Sequence, residues 1–253
     1  MKRIIIIFAA LFLCAPFLWA ETITISYFVS YPHIIFDPQT KKISGAVYDL
    51  IQDHIAPAMG DTFVWDNSPS PVPRQTMNLT EHKIDAVALL VFSPERAKSF
   101  RYSQKSYYQG KSAIAVTQDN PLTQINGLED IMNMKIAYAK DTFITPFMRD
   151  ERIQFDLVSD PNFLEMNIRK LLADRVQAVY SPDQAGLLYL ITKMAAVDKI
   201  RVLQLPEKAA LFHVVFSKGA EAKAARFDKA FDQINGSELY MKLLSKFFDT
   251  SRL

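Results

Sequence analysis

An α/β fold with largely parallel sheets is the architecture this sequence predicts. Three observations carry the prediction. Strand-like and helix-like segments alternate along the chain. One segment, Ile84 to Phe92, is apolar apart from Asp85, as a strand covered on both faces of a parallel sheet must be. No low-complexity tract or long linker interrupts the series, so two halves would share short crossing strands rather than a flexible tether.

The elements follow in order. Lys2 and Arg3, an apolar run from Ile4 to Leu13, and the small residue Ala20 before Glu21 form the layout of a cleavable export signal, residues 1–20. The run is about half of the roughly 20 residues a membrane span needs. Cys14 does not mark a lipoprotein, because bulky Leu13 precedes it and apolar sequence continues to Trp19. Thr22 to Val29 alternates like a strand, and Tyr31-Pro32 breaks it. Phe36 to Ile43 reads as a hairpin, and Gly45 leads into a helix from Val47 to Ile55 with one apolar face. Thr62 to Trp65 is a short strand. Ser68 to Pro73 is a stiff loop, and a helix from there ends near His82. A second series begins at Ser112 to Val116. It continues with a short helix at Gly127 to Ile131, a strand at Met134 to Ala139, and a helix opened by Asp141-Thr142. Helix 162–173, strand 176–180 and helix 183–195 complete it. Leu211 to Phe216 is a late strand. Residues 220–248 form two helices broken at Asn235-Gly236.

Composition narrows the function. Cys14 is the single cysteine and leaves with the signal, so the mature chain has no disulfide, thiol nucleophile or cysteine metal site. The chain carries 29 Lys and Arg against 27 Asp and Glu, and loss of Lys2 and Arg3 makes the counts equal. That balance gives no support for a nucleic-acid partner or an anionic membrane surface. His33, His54, His82 and His213 show no metal-ligand spacing, and neither a nucleophile elbow nor a phosphate loop is present. The expectation is a binding protein and not an enzyme, with no metal and no cofactor.

The most specific motif is Pro94-Glu95-Arg96 after the apolar strand, followed by Phe100 to Ser103 and Tyr107-Tyr108. With it stand Tyr31-Pro32 and Phe36, Gly45 to Leu50, Lys83 to Ala86, Leu128 to Ile131 with Asp141-Thr142, and Asn235-Gly236 through Phe248. In this order and spacing the chain, from about Ile23 to Phe248, resembles the periplasmic solute-binding proteins for polar amino acids, the binding subunits of ABC importers (bacterial extracellular solute-binding protein family 3). The resemblance implies a two-lobed type II periplasmic binding protein fold, each lobe a mostly parallel sheet flanked by helices, joined by two crossing strands. Residues 21–112 and 213–253 would form lobe 1 and residues 113–212 lobe 2, with the ligand in the cleft. It implies a monomer in the periplasm that delivers a small polar solute, an amino acid or related carboxylate, to an ABC permease in the inner membrane. The alternative is a ligand-sensing or regulatory module without an importer, and a degenerate site without ligand is a third possibility.

The resemblance also nominates residues. Arg96 matches the arginine that grips the ligand carboxylate, which a guanidinium fork can hold bidentately; the competing reading is a surface arginine paired with Glu95 or Asp49. Tyr31 matches an aromatic packed on the ligand, or is a core tyrosine. Thr142 matches a donor at a helix start, or is a plain cap. Departures from the family pattern matter equally. Asp141 stands where a glycine is usual, and its carboxylate would repel an anionic group or recruit a cationic one. Leu89 to Phe92 is apolar where glycine and hydroxyl residues are common. The aspartate expected to hold a ligand ammonium falls, ungapped, on Pro182; Asp183 is one residue later and serves only if the loop bulges. Trp65, Phe92, Tyr138, Phe143 and Tyr180 are candidates to line a more apolar pocket, with ordinary core the competing reading for each.

Overall fold

The computed structural model describes residues 20–253. The expected export signal lies outside them. The chain first lays down β1 (Thr22–Ser26) and a small hairpin of β2 (Ile35–Phe36) and β3 (Ile43–Ser44). A helical run follows: α1 (Ala46–Asp49), a π-helical turn (Leu50–Ile55) and α2 (Ala56–Met59). Then come β4 (Thr62–Trp65), α3 (Val72–Thr80), β5 (Ala86–Val91), β6 (Arg101–Tyr102) and β7 (Tyr108–Gly110). The second series is β8 (Ala113–Thr117), β9 (Lys135–Ala139), β10 (Gln154–Val158), α4 (Phe163–Leu172), β11 (Ala178–Ser181), α5 (Gln184–Lys193) and β12 (Ile200–Gln204). The chain then returns through β13 (Ala210–Phe216), α6 (Glu221–Gln233) and α7 (Gly236–Leu244).

Two sheets result, one per lobe. The first has the order β4-β1-β5-β13-β6, with β7 also on β13; the second is β10-β9-β11-β8-β12. Each keeps a parallel trio, β4-β1-β5 and β10-β9-β11, and is extended by antiparallel strands. The sheets are thus more mixed than the sequence suggests. The cause is the crossing geometry: a strand that carries the chain back between lobes runs against the strands it joins. The two crossings lie side by side, Tyr108–Gly110 paired with Ala210–Phe212.

In β5 every residue is buried; Ala86, Ala88, Leu89 and Val91 pack in the core with Ile23, Ile51 and Phe227, while Val87 and Leu90 pack in the cluster with Leu79 and Val215, the two-residue alternation slipping where the facing β13 shifts register between His213 and Val215. Elsewhere burial keeps that period. In the second lobe Ala113, Ala137 and Val179 pack under α4 and α5, while Ile114, Ile136 and Tyr180 fill the opposite face. β10 and β12 have no counterpart in the sequence reading. Both are sheet edges whose apolar pattern is broken by charge: Asp156 on β10 pairs with Lys135 and Lys170, and Arg201 on β12 donates to the Leu122 carbonyl. Charged edges of this kind discourage further strand pairing.

The helix expected to open at Asp141-Thr142 does not form. Asp141 adopts φ 56°, the Thr142 hydroxyl donates to the Ala139 carbonyl at 3.0 Å, and the Tyr138 hydroxyl donates to the Phe143 carbonyl at 2.5 Å. These local bonds close a turn that competes with helix initiation. A short 3₁₀ helix starts only at Pro146 and runs to Arg149.

Gly45 behaves as its place before the helix requires. It sits at φ 115°, and a Cβ there would lie 2.5 Å from the His33 carbonyl oxygen. Gly45→Ala is therefore expected to lower unfolding free energy by about 2 kcal/mol or more, from combined backbone strain and overpacking. Urea denaturation checks it: an unchanged midpoint would show that the loop after Tyr31 gives way freely. Among the described residues no helix is long and apolar enough to cross a membrane, and no group of three or more His, Cys, Asp or Glu could hold a metal ion.

Candidate functional site

The cleft between the lobes is built by chain ends that the sheets aim at one another. From the first lobe come the loop after β1 (Phe28 to Tyr31), Val72 at the start of α3, the end of β5 and the turn that follows it. From the second come Tyr138 at the end of β9, the Thr142-Phe143 turn, the start of α4, and Ser181 to Asp183 after β11. This is the region beyond the carboxyl ends of parallel strands, where α/β sheets place ligands. An inner cavity of about 60 Å³ lies there. A wider mouth of about 740 Å³ lies between α3, Ser93 to Phe100 and Thr142 to Arg149. Arg96, Thr142 and Phe143 line both.

Arg96 opens a short 3₁₀ turn, Arg96–Lys98, directly beyond β5. Its carbonyl accepts from Phe100 N at 2.9 Å, which folds the turn back against the strand. It is half-buried, and its cationic group acts on the Tyr102 hydroxyl: burial raises that phenol's pKa and Arg96 partly offsets the rise. Among the described residues no ion pair joins it to Glu95, Asp49 or any other carboxylate. Arg149 approaches the same mouth from the other lobe, with its guanidinium 5.8 Å from the Phe143 ring centre.

The other nominated residues are placed as follows. Tyr31 lines the inner cavity, is buried, and stacks on Tyr189 of α5 at 5.6 Å and 12°; the Lys193 ammonium lies 4.9 Å from its ring centre. It therefore bridges the lobes. Thr142 lines the cleft from a turn and not from a helix start. Asp141 is exposed and belongs to neither cavity wall. Phe92 is also absent from both walls: it is 40 % exposed and packs edge-on against Tyr102 at 5.1 Å. Tyr138 and Phe143 do line the inner cavity, whereas Trp65 packs on Tyr27 and Tyr48, and the Tyr180 hydroxyl donates to Thr145 Oγ1. Phe28 and Phe163, from opposite lobes, meet across the cleft at 6.5 Å.

Asp183 has a structural task. It is the N-cap of α5 and accepts from Ala185 N at 3.1 Å and Gly186 N at 3.3 Å. It also accepts from the Tyr108 hydroxyl at 2.9 Å and pairs with His33 Nε2 at 2.7 Å, while His33 Nδ1 bonds the Tyr240 hydroxyl. With the ring hydrogen on Nε2, His33 donates to Asp183 and its Nδ1 accepts from Tyr240. The network ties three places together: His33 and Tyr240 in the first lobe, Tyr108 in a crossing strand, and Asp183 in the second lobe. Burial, reinforced by the Asp183 charge, pushes the Tyr107 and Tyr108 hydroxyls far above the usual phenol range. The sequence reading missed His33, Tyr108 and Tyr240 as members of this site. The available signal was a histidine directly after Tyr31-Pro32, in a loop already nominated.

Proteins of known structure share the architecture. An ancestral arginine-binding protein, solved with arginine bound, matches with TM-score 0.75 and 21 % identity, over 90 % of this chain and 98 % of that one. A Salmonella typhimurium periplasmic binding protein of high arginine specificity matches with TM-score 0.73 and 19 % identity, over 90 % and 100 % of the two chains. A histidine kinase sensor domain similar to periplasmic binding proteins matches with TM-score 0.75 and 19 % identity, over 90 % and 96 %. No curated protein sequence matches this chain. Two mixed sheets joined by paired crossings make a two-lobed type II periplasmic binding fold. The model of the bacterial extracellular solute-binding proteins, family 3, matches residues 23–250, so the chain belongs to that family.

Proposed function

We propose that this protein binds a small carboxylate-bearing solute between its lobes, outside the cytoplasmic membrane, and delivers it to an ABC importer. The observation that carries the reading is Arg96: a half-buried cation at the junction of mouth and inner cavity, with no carboxylate partner among the described residues. A guanidinium so placed offers two parallel donors to an incoming carboxylate. Arg149 on the facing lobe adds positive charge to the mouth, which favours anion entry. Family membership and the arginine-binding structures support a solute-binding role, and no catalysis is assigned. The paired crossings suit hinge closure, in which a few backbone torsions absorb the motion of one lobe against the other.

The test is a thermal-shift screen of the chain from Glu21 against amino acids, polyamines and small carboxylates. A ligand present at 100 times its Kd stabilises the fold by about 2.7 kcal/mol, so a clear rise in melting temperature is expected for a carboxylate class. A response to polyamines alone would overturn the assignment of Arg96. The second reading, a sensory module, draws on the histidine kinase sensor domain that shares this fold. Ligand uptake by cells lacking the protein separates the two: loss of uptake supports import, and unchanged uptake supports sensing.

A further inference from the structure

The inner cavity differs from a pocket made for an amino acid. We propose that its ligand is an apolar monocarboxylate without an α-ammonium group, a short-chain aliphatic acid. Its carboxylate lies on Arg96 and the end of its alkyl chain in the inner cavity. The proposal rests on the reading above that Arg96 holds a carboxylate, and it adds the class of molecule behind that carboxylate.

The first ground is the state of Asp183. It is the single carboxylate among the residues lining the inner cavity. A carboxylate offers about four acceptor positions. Here Oδ1 takes the Tyr108 hydroxyl and Ala185 N, and Oδ2 takes His33 Nε2 and Gly186 N. All four are filled from within the protein, by donors that hold a helix start and an interlobe junction. A ligand ammonium could reach Asp183 only by displacing one of these buried donors and leaving it unpaired. A buried ammonium without a carboxylate or full hydrogen bonding is strongly disfavoured. Glu95, the one acidic residue lining the mouth, stands exposed and does not reach the inner wall.

The second ground is the wall itself. Phe28, Leu89, Val91, Phe163, Leu164 and Phe212 present hydrocarbon from both lobes. The cavity of about 60 Å³ is under half of the ~150 Å³ that encloses a benzene ring, so it has room for about two to three carbons. That fits the end of a short alkyl chain, with the α-carbon and carboxylate outside at Arg96. The tail gains from leaving water, at about 0.8 kcal/mol per buried methylene.

Matched pairs decide it, by calorimetry on the chain from Glu21: butanoate against L-2-aminobutanoate, and 3-methylbutanoate against L-valine, with L-arginine and L-glutamine alongside. Within at least one pair the acid lacking nitrogen is expected to bind at least about tenfold tighter than its amino acid, since the added ammonium finds no partner. Arg96→Gln, checked for folding by circular dichroism, is expected to remove that binding. If an amino acid binds as tightly as its des-amino partner or tighter, and Arg96→Gln removes it, the ligand class is wrong and the carboxylate reading stands. If no probe binds, or binding survives Arg96→Gln, both fail.

Discussion

Arg96→Ala is expected to weaken carboxylate binding by about a hundredfold or more while leaving the fold nearly as stable as before. Hydrogen bonds to charged groups contribute about 1.5–3 kcal/mol each, and about 1.4 kcal/mol is tenfold in affinity. Losing both arms of a guanidinium fork therefore removes at least two orders of magnitude. Stability is spared because Arg96 makes no ion pair among the described residues and stands half-exposed in a short turn. Arg96→Lys is expected to recover only part of the loss, since an ammonium cannot reproduce the planar fork. Calorimetry with the tightest carboxylate found in the screen is the measurement. Unchanged affinity in Arg96→Ala would make Arg96 an ordinary surface residue and move the search to Arg149.

Asp183→Ala should act in the opposite way, on stability first. It removes the cap of α5 and leaves the Tyr108 hydroxyl and His33 Nε2–H buried without an acceptor. A buried donor left without an acceptor costs about 1–3 kcal/mol, and loss of the cap about 1 kcal/mol more. His33 is fully buried, so water does not readily replace the lost bond. Urea denaturation is expected to show a loss of that size, with Asp183→Asn intermediate because its amide oxygen keeps part of the cap. A loss under about 1 kcal/mol would mean that the lobes are already apart in solution and the junction is wet. The two substitutions thus test binding and architecture separately.

Much of this arrangement can be read from the sequence, and the limits have physical causes. β5 is legible because burial on both faces leaves an unbroken apolar run, and the cleft position of Arg96 follows from its place directly beyond that strand. Gly45 before the helix is legible because a positive φ is demanded where the loop meets His33. The strands β10 and β12 are not, since edges carry charge and lose the alternation that marks a strand. Thr142 is misread for a local reason. Its hydroxyl and that of Tyr138 bond back to the chain and hold a turn, and nothing in one-dimensional pattern weighs those bonds against helix initiation. Asp183 is found by position but not by role. Whether a carboxylate greets a ligand or binds its own protein depends on His33 and Tyr108, which are 150 and 75 residues away along the chain.

The place of β13 in the first sheet governs how the molecule can be assembled. It lies between β5 and β6 and arrives near the end of the chain, whereas the second sheet is drawn wholly from one contiguous stretch, β8 to β12. A chain released stepwise from its amino end can therefore finish its second lobe while the first still waits for its tail. Until residue 210 emerges, one side of β5 has no neighbour, and β5 is apolar on both faces. Such an edge is a template for pairing with another chain. Shortened versions that end before β13 are thus poor candidates for a smaller working binder: they would keep a foldable second lobe and carry a sticky, half-built first one.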